Sequence, residues 1–236
     1  MKLATELYSE QAKRWPAEGR HILAHHDDQS IIVYQAYRPS IGRFTIEHGY
    51  FGGGFSLARM SWIKPNFLWM MYRCGWGTKE GQKTVLGLRL GREFFDSILA
   101  QAVQSTYYEG HYPSREQWQE ALATSTVRLQ WDPDHDPSGA KLDRRAIQLG
   151  LRGDVLEAFS KRELLEVIDM TEFVAQQRPH ARRSRFAGLR TPVESVYVPS
   201  DPVVGKRLGL ADLGAEPAAA AGHATDGSPS SAPPPA

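Results

Sequence analysis

One cysteine, Cys74, stands alone among 236 residues, so no internal disulfide can form. It lies among apolar residues and reads as a buried, inert thiol rather than a nucleophile. No apolar run approaches the roughly 18 residues that a membrane span requires, which predicts no membrane partner. The N-terminal stretch MKLATELYSEQAKRWPAE is polar and has no apolar signal core. With the lone cysteine, this predicts a cytoplasmic protein. Net charge is nearly absent, +1 at pH 7, so overall electrostatics select no partner and set no oligomeric state. Also missing are a nucleophile elbow, an H-E-x-x-H helix, a phosphate loop ending in Gly-Lys-Ser/Thr, a G-x-G-x-x-G turn, paired cysteines and a Ser-His-Asp order. A hydrolase or a zinc enzyme therefore gains no support.

What is present is concentrated. Tyr34 to Trp76 holds three of the six tryptophans, a triple glycine at 52–54 and five cations: Arg38, Arg43, Arg59, Lys64 and Arg73. Residues 50–79 contain no Asp or Glu. Cations among aromatics are costly to bury alone. These must be exposed, paired with acids from elsewhere, or turned toward an anionic ligand. A second concentration is RPHARRSRFAGLR (178–190), with five arginines and no acid. It reads either as a solvated arm or as a phosphate-contacting segment, with Arg182, Arg183 and Arg185 as candidate contacts to nucleic acid.

Periodicity and punctuation predict an α+β fold, a single compact domain with a small mixed or split β-sheet flanked by helices. Residues 1–18 read as an N-terminal extension with a short helix stopped by Pro16. Residues 19–178 form the globular domain, 179–208 a basic arm, and 209–236 a disordered low-complexity tail. SIIVYQAY (30–37) is a strand. PSIGRFTIEHG (39–49) is a short helix closed by Gly49, and YFGGGFS is a glycine loop. KPNFLWMMYRCG (64–75) is a buried helix with Pro65 near its first position, and KTVLGLRL (83–90) is a strand. Helices cover GREFFDSILAQAVQS and SREQWQEALATS (114–125), the second capped by Ser114. TVRLQW (126–131) and RRAIQLGLRG (144–153) are strands around an acidic loop. GDVLEAFSKRELLEVIDM is mostly helical, and MTEFVAQQ closes the domain.

The strand, helix and glycine loop from Tyr34 to Phe55 suit a nucleotide. Gln35, Tyr37 and Arg38 end the strand; arginine binds phosphate bidentately, and tyrosines offer faces to a ring. Glycine lets backbone approach a ligand, although a loop that merely turns the chain explains it as well. In RMSWIKPNFLWMMYR (59–73) the apolar residues read as core, and Arg59, Lys64 and Arg73 as ligand contacts. Asp132, Asp134, Asp136 and Asp143 loosely mimic a calcium loop. Pro137 stands where glycine is needed and Asp143 where glutamate is, so a rigid acidic turn and no metal site is predicted. On the strand at 144–153, alternation puts Arg144, Ala146, Gln148 and Gly150 on one face. There Gln148 can turn to a pocket and position a hydroxyl or an amide, or it can face solvent.

YQAYRPSIGRF, RMSWIKPNFLWMMYR and RRAIQLGLRG together resemble the domain-of-unknown-function family 4291, over roughly residues 20–178. That resemblance brings no activity. A more distant one is to the ADP-ribosyltransferases. Tyr34-Gln35-Ala36-Tyr37 is similar to their first motif, with Ile41 and Gly49 in the helix that leads to a glycine. RRAIQLGL is similar to the closing strand that bears their catalytic glutamate. At that place this chain has Ile147-Gln148, and the expected histidine is also missing. The resemblance implies NAD as cofactor, with Gln148 and Gln35 at the catalytic positions. Arg38 and Arg59 would hold the pyrophosphate, and Tyr37 or Tyr50 would stack on nicotinamide. Tyr34, Gly49, Lys64 and Arg73 complete the expected binding set.

Three readings stay open on the sequence. One is NAD-dependent ADP-ribosyl transfer to nucleic acid or protein. Another is a non-catalytic module for a nucleotide or RNA. The third is a structural protein with a large aromatic core. Convergence decides among them: Gln35, Arg38, Arg59 and Gln148 must line one cleft for either ligand reading.

Overall fold

The computed structural model describes residues 3–109 and 112–211, with the side chain of Arg183 outside that description. Among the described residues are eleven strands and eight helices. The chain opens with β1 (Thr5–Leu7), α1 (Tyr8–Gln11) and β2 (Ile22–Ala24). Then come β3 (Ser30–Tyr37), α2 (Pro39–His48), β4 (Ser61–Ile63), α3 (Phe67–Cys74) and β5 (Thr84–Gly91). The middle holds α4 (Arg92–Gln101), β6 (Ala102–Gln104), α5 (Arg115–Thr124), β7 (Val127–His135) and β8 (Lys141–Leu151). It closes with α6 (Gly153–Lys161), β9 (Leu164–Asp169), α7 (Thr171–Gln177), β10 (Arg190–Pro192), β11 (Ser195–Tyr197) and α8 (Pro202–Leu208).

The expected split sheet is present. An antiparallel sheet runs β3-β5-β9, and a mixed sheet runs β4-β8-β7-β6, with β6 parallel to β7. A main-chain bridge between Tyr34 and Lys64 joins the two sheets. Ile31 and Val33 of β3 enter one hydrophobic cluster, while Ile32 and Tyr34 enter a second on the opposite face. A strand covered on both faces reads as an unbroken apolar run, which is why SIIVY does not alternate.

Local signals set the elements beside the seam. Pro39 starts α2, and Gly49 ends it at φ 75°. Asn66 caps α3, its Oδ1 accepting from Trp69 N at 2.6 Å. Pro65 therefore precedes the cap instead of occupying the first helical turn. Gly75, at φ 60°, ends α3. Among the described residues no helix is long and apolar enough to cross a membrane.

The chain departs from expectation at its ends. Residues 3–18, read as part of an extension, pack on the domain: β1 pairs antiparallel with β10, as β2, just beyond them, does with β11. Gln11 is fully buried, donating to Thr191 Oγ1 at 2.9 Å while its carbonyl accepts from Glu194 N at 2.8 Å. Trp15 donates to the Glu194 carbonyl at 2.8 Å. The basic arm likewise folds onto the domain as two 3-10 turns, Arg178–His180 and Arg183–Gly188, before entering β10. MTEFVAQQ thus forms α7 without ending the domain. At the tail, Gly209 caps α8 and Ala211 N donates to Arg20 O at 3.0 Å. The rest of the expected tail, 212–236, lies outside the described residues.

The acidic stretch 131–143 is mostly strand rather than loop. β7 runs to His135 and β8 starts at Lys141, with a register shift between Pro133 and His135. That bulge accommodates a proline within a strand. RELLEVID is likewise partly strand, pairing as β9 with β5.

Candidate functional site

A cleft of about 670 Å³ opens at the seam between the two sheets. Gln35, Tyr37 and Arg38 reach it from the end of β3, and Ser61, Trp62 and Lys64 from β4 and the residue after it. Arg59 and Arg73 stand on either side in sequence, and Gln130 and Gln148 come from β7 and β8. The four residues whose convergence was required, Gln35, Arg38, Arg59 and Gln148, line this one cleft.

The cleft is cationic. Arg38, Arg59 and Arg73 are exposed, and among the described residues none of them forms an ion pair. Lys64 is only 5% exposed, and its Nζ donates to the Trp62 carbonyl at 3.4 Å. Burial pulls its pKa down to about 8; Arg73 pushes the same way, and the charge of Asp132 opposes both. At neutral pH this amine is still mostly protonated and attracts anions. A modest rise in pH makes it a neutral proton acceptor.

The floor is polar and ordered. Gln35 Nε2 donates to Ser61 Oγ at 2.8 Å and to the Trp62 carbonyl at 3.0 Å. The Tyr37 hydroxyl shares Ser61 Oγ at 2.8 Å, and burial pushes its pKa up to about 12, so it remains a neutral hydroxyl. Gln148 Nε2 donates to Asp132 Oδ2 at 2.7 Å, and Gln130 Nε2 to Asp132 Oδ1 at 2.9 Å. Tyr37 and Phe55 provide an aromatic wall, their ring centroids 5.9 Å apart and both packed on the fully buried Phe51 behind them.

The triple glycine shapes the rim by folding back over α2. A Cβ on Gly53 (φ 61°) would collide with the Ser40 carbonyl. A Cβ on Gly54 (φ 92°) would lie 2.8 Å from Arg38 Nη2. Glycine here allows a close approach to the chain's own helix and to Arg38.

Three expected residues lie elsewhere. Tyr34 is fully buried against Phe67, because strand alternation turns it away from the face of Gln35 and Tyr37. Gly49 ends α2 outside the cleft lining. Tyr50 is 39% exposed and packs against Phe44, His48 and the Lys161 ammonium, so no nicotinamide ring could stack on it inside the cleft. Gln130 and Asp132 were missed as partners of Gln148. Their signal was the alternation of Arg128, Gln130 and Asp132 with buried Val127, Leu129 and Trp131. The other aspartates have structural duties. Asp134 pairs with Arg144 at 2.6 Å, and Asp136 accepts from Ser138 N and Ala140 N. Among the described residues no group of three His, Cys, Asp or Glu could hold a metal.

The family model for the domain of unknown function DUF4291 matches residues 21–197. The chain belongs to the DUF4291 family. Every residue lining the cleft lies inside the DUF4291 span, as do β2 and β11, whose pairing closes the domain. The match therefore extends past residue 178 to the last strand. No curated protein matches the chain.

Proposed function

We propose that this cleft binds a nucleotide by its phosphates, with NAD as the ligand, and that the protein is an ADP-ribosyltransferase-like enzyme acting on nucleic acid or protein. The observation that carries this reading is the convergence of Arg38, Arg59, Arg73 and Lys64 on one cleft without an ion-pair partner among the described residues. Unpaired cations around an aromatic wall favour an anion that carries a ring. The volume falls within the roughly 300–1,000 Å³ of ordinary ligand pockets. The strand similar to the first transferase motif and the strand similar to the closing one also meet here, through Gln35 and Gln148.

In the transfer, the bond between ribose C1′ and the nicotinamide nitrogen breaks, and its electron pair leaves with neutral nicotinamide. An acceptor nucleophile bonds to C1′ and loses its proton. Arg38 and Arg59 hold the pyrophosphate, and Tyr37 flanks the nicotinamide. Lys64, once neutral, would take the proton. A polyanionic acceptor would be held by the exposed Arg182 and Arg185, with Arg183 between them in sequence.

A second reading, a nucleotide- or RNA-binding module without catalysis, is favoured by one observation. The closing-strand position carries an uncharged amide, and Asp132 is occupied by two glutamines. Thermal shift and nicotinamide release with NAD, on the native sequence and on Arg38→Ala, separate the two. Stabilisation with release, both lost in Arg38→Ala, supports transfer. Stabilisation without release supports the binding module. Absence of any response to NAD removes the transferase reading and leaves the module to be tested with RNA and other nucleotides.

A further inference from the structure

Three glutamines in the cleft are turned the same way. Gln35 gives its amide hydrogens to Ser61 Oγ and the Trp62 carbonyl, while Gln130 and Gln148 give theirs to the two oxygens of Asp132. A main-chain carbonyl and a carboxylate only accept, so chemistry fixes which end of each amide is nitrogen. The carbonyl ends are left over. Gln35 Oε1 is buried in a residue only 3% exposed and has no partner among the described residues. Oε1 of Gln130 and of Gln148 makes no hydrogen bond among the described residues. Gln130 and Gln148 face each other directly across β7 and β8, a pairing that sets side chains about 5 Å apart at Cβ. The floor therefore presents two neighbouring acceptors to the cleft, Oε1 of Gln130 and of Gln148, while that of Gln35 lies buried behind them.

The cations restrict what those donors can be. Lys64 and the three arginines repel an ammonium, which leaves uncharged O–H or N–H groups. Their pull on anions requires a negative group on the same ligand. We infer that the cleft floor reads the vicinal hydroxyls of a phosphorylated ribose through the carbonyl oxygens of Gln148 and Gln130, and that Asp132 is the positioning residue that holds both amides carbonyl-outward. This deepens the nucleotide reading of the same cleft and rests on it. The shared chemistry, a diol beside a phosphate, occurs both in nucleotides and in free sugar phosphates.

Isothermal titration of the full chain tests the inference with AMP, 2′,3′-dideoxy-AMP, ribose 5-phosphate and 2-deoxyribose 5-phosphate. AMP should bind at least about tenfold more tightly than its dideoxy counterpart, since the analogue leaves both carbonyl acceptors without a donor once the ligand has displaced water. Asp132→Asn offers one acceptor and one donor, which forces one glutamine to turn round. The preference should then shrink to within about threefold, the phosphate contribution being kept. Gln148→Met leaves Asp132 in place and removes one acceptor. It should weaken AMP and leave dideoxy-AMP unchanged, so it tests the idea even where Asp132→Asn fails to fold. Equal binding of AMP and dideoxy-AMP overturns the inference and leaves the nucleotide reading standing. A full preference retained in Gln148→Met also overturns it. Binding of ribose 5-phosphate over its deoxy analogue without binding of AMP supports the diol floor and removes the nucleotide reading. No binding of any of the four overturns it.

Discussion

The main chains of Tyr34 and Lys64 exchange two hydrogen bonds, Tyr34 N to the Lys64 carbonyl at 2.7 Å and the reverse at 3.3 Å. This bridge fixes a buried lysine at the seam of two sheets, under a cationic cleft. Such a residue is a cost to folding that a ligand can offset. Lys64→Met is expected to raise stability at neutral pH by about 2–3 kcal/mol and to weaken nucleotide binding. The sign follows from proton uptake. The folded pKa is about 8 and the ordinary value 10.5. Between them the unfolded chain binds more protons, so stability gained from this group rises with pH through that window. The advantage of Lys64→Met should therefore shrink as pH rises from 8 to 10.5 in chemical denaturation. A variant no more stable than the parent at pH 7 would contradict the buried charge.

Arg144 and Asp134 form an ion pair with side chains 6% and 1% exposed. Arg144 also donates to the Pro16 carbonyl at 2.6 Å, tying the N-terminal segment to β8. Arg144→Leu strands a buried carboxylate and should cost about 3–5 kcal/mol. The double variant with Asp134→Leu should recover much of that loss. Urea denaturation of the two single variants and the double measures the coupling.

Gly54 stands at φ 92° beside Arg38 Nη2. Gly54→Ala should cost about 1–3 kcal/mol from backbone strain and displace the guanidinium from the cleft. Nucleotide affinity should fall with it, and titration at a temperature well below the melting midpoint separates the two effects. Unchanged affinity would mean that Arg38 takes no part in binding.

The basic turns offer a test of the nucleic-acid acceptor. Arg182 and Arg185 are exposed. If they contact phosphates, log K for RNA or DNA should fall linearly with log salt, and Arg182→Ala with Arg185→Ala should reduce the slope by about 1–2. Salt-independent binding would exclude these residues as the contact.

Much of the seam was legible. Pro39 and Gly49 bounded α2, and the β-branched and aromatic run at 30–37 announced a strand, though not that both its faces are covered. The functional residues were legible where parity was respected: Gln35 and Tyr37 share a face, and Tyr34 could not join them. Asp132 was not legible beside Gln148, because Pro133 suggested a loop and only cross-strand register brings β7 and β8 together. Tyr50 looked like a cleft aromatic by proximity in sequence, yet it packs against Phe44 and His48, away from the lining. The closure of the ends was invisible for another reason. Three-residue strands carry almost no periodic signal, and their partners lie most of the chain length away.

That closure has a consequence for synthesis. Gln11 and Thr191, joined by a hydrogen bond, are 180 residues apart, and β1 pairs with β10. At roughly 5–20 residues per second on a ribosome, the first strand waits on the order of ten seconds or more before its partner exists. The central sheets can form while translation continues, but Gln11 and Trp15 stay without their partners until residue 194 has emerged. Contacts of such separation slow folding. Around β1 and α1 the nascent chain thus stays exposed for the longest interval that these pairings impose, and a chaperone would have most to protect there.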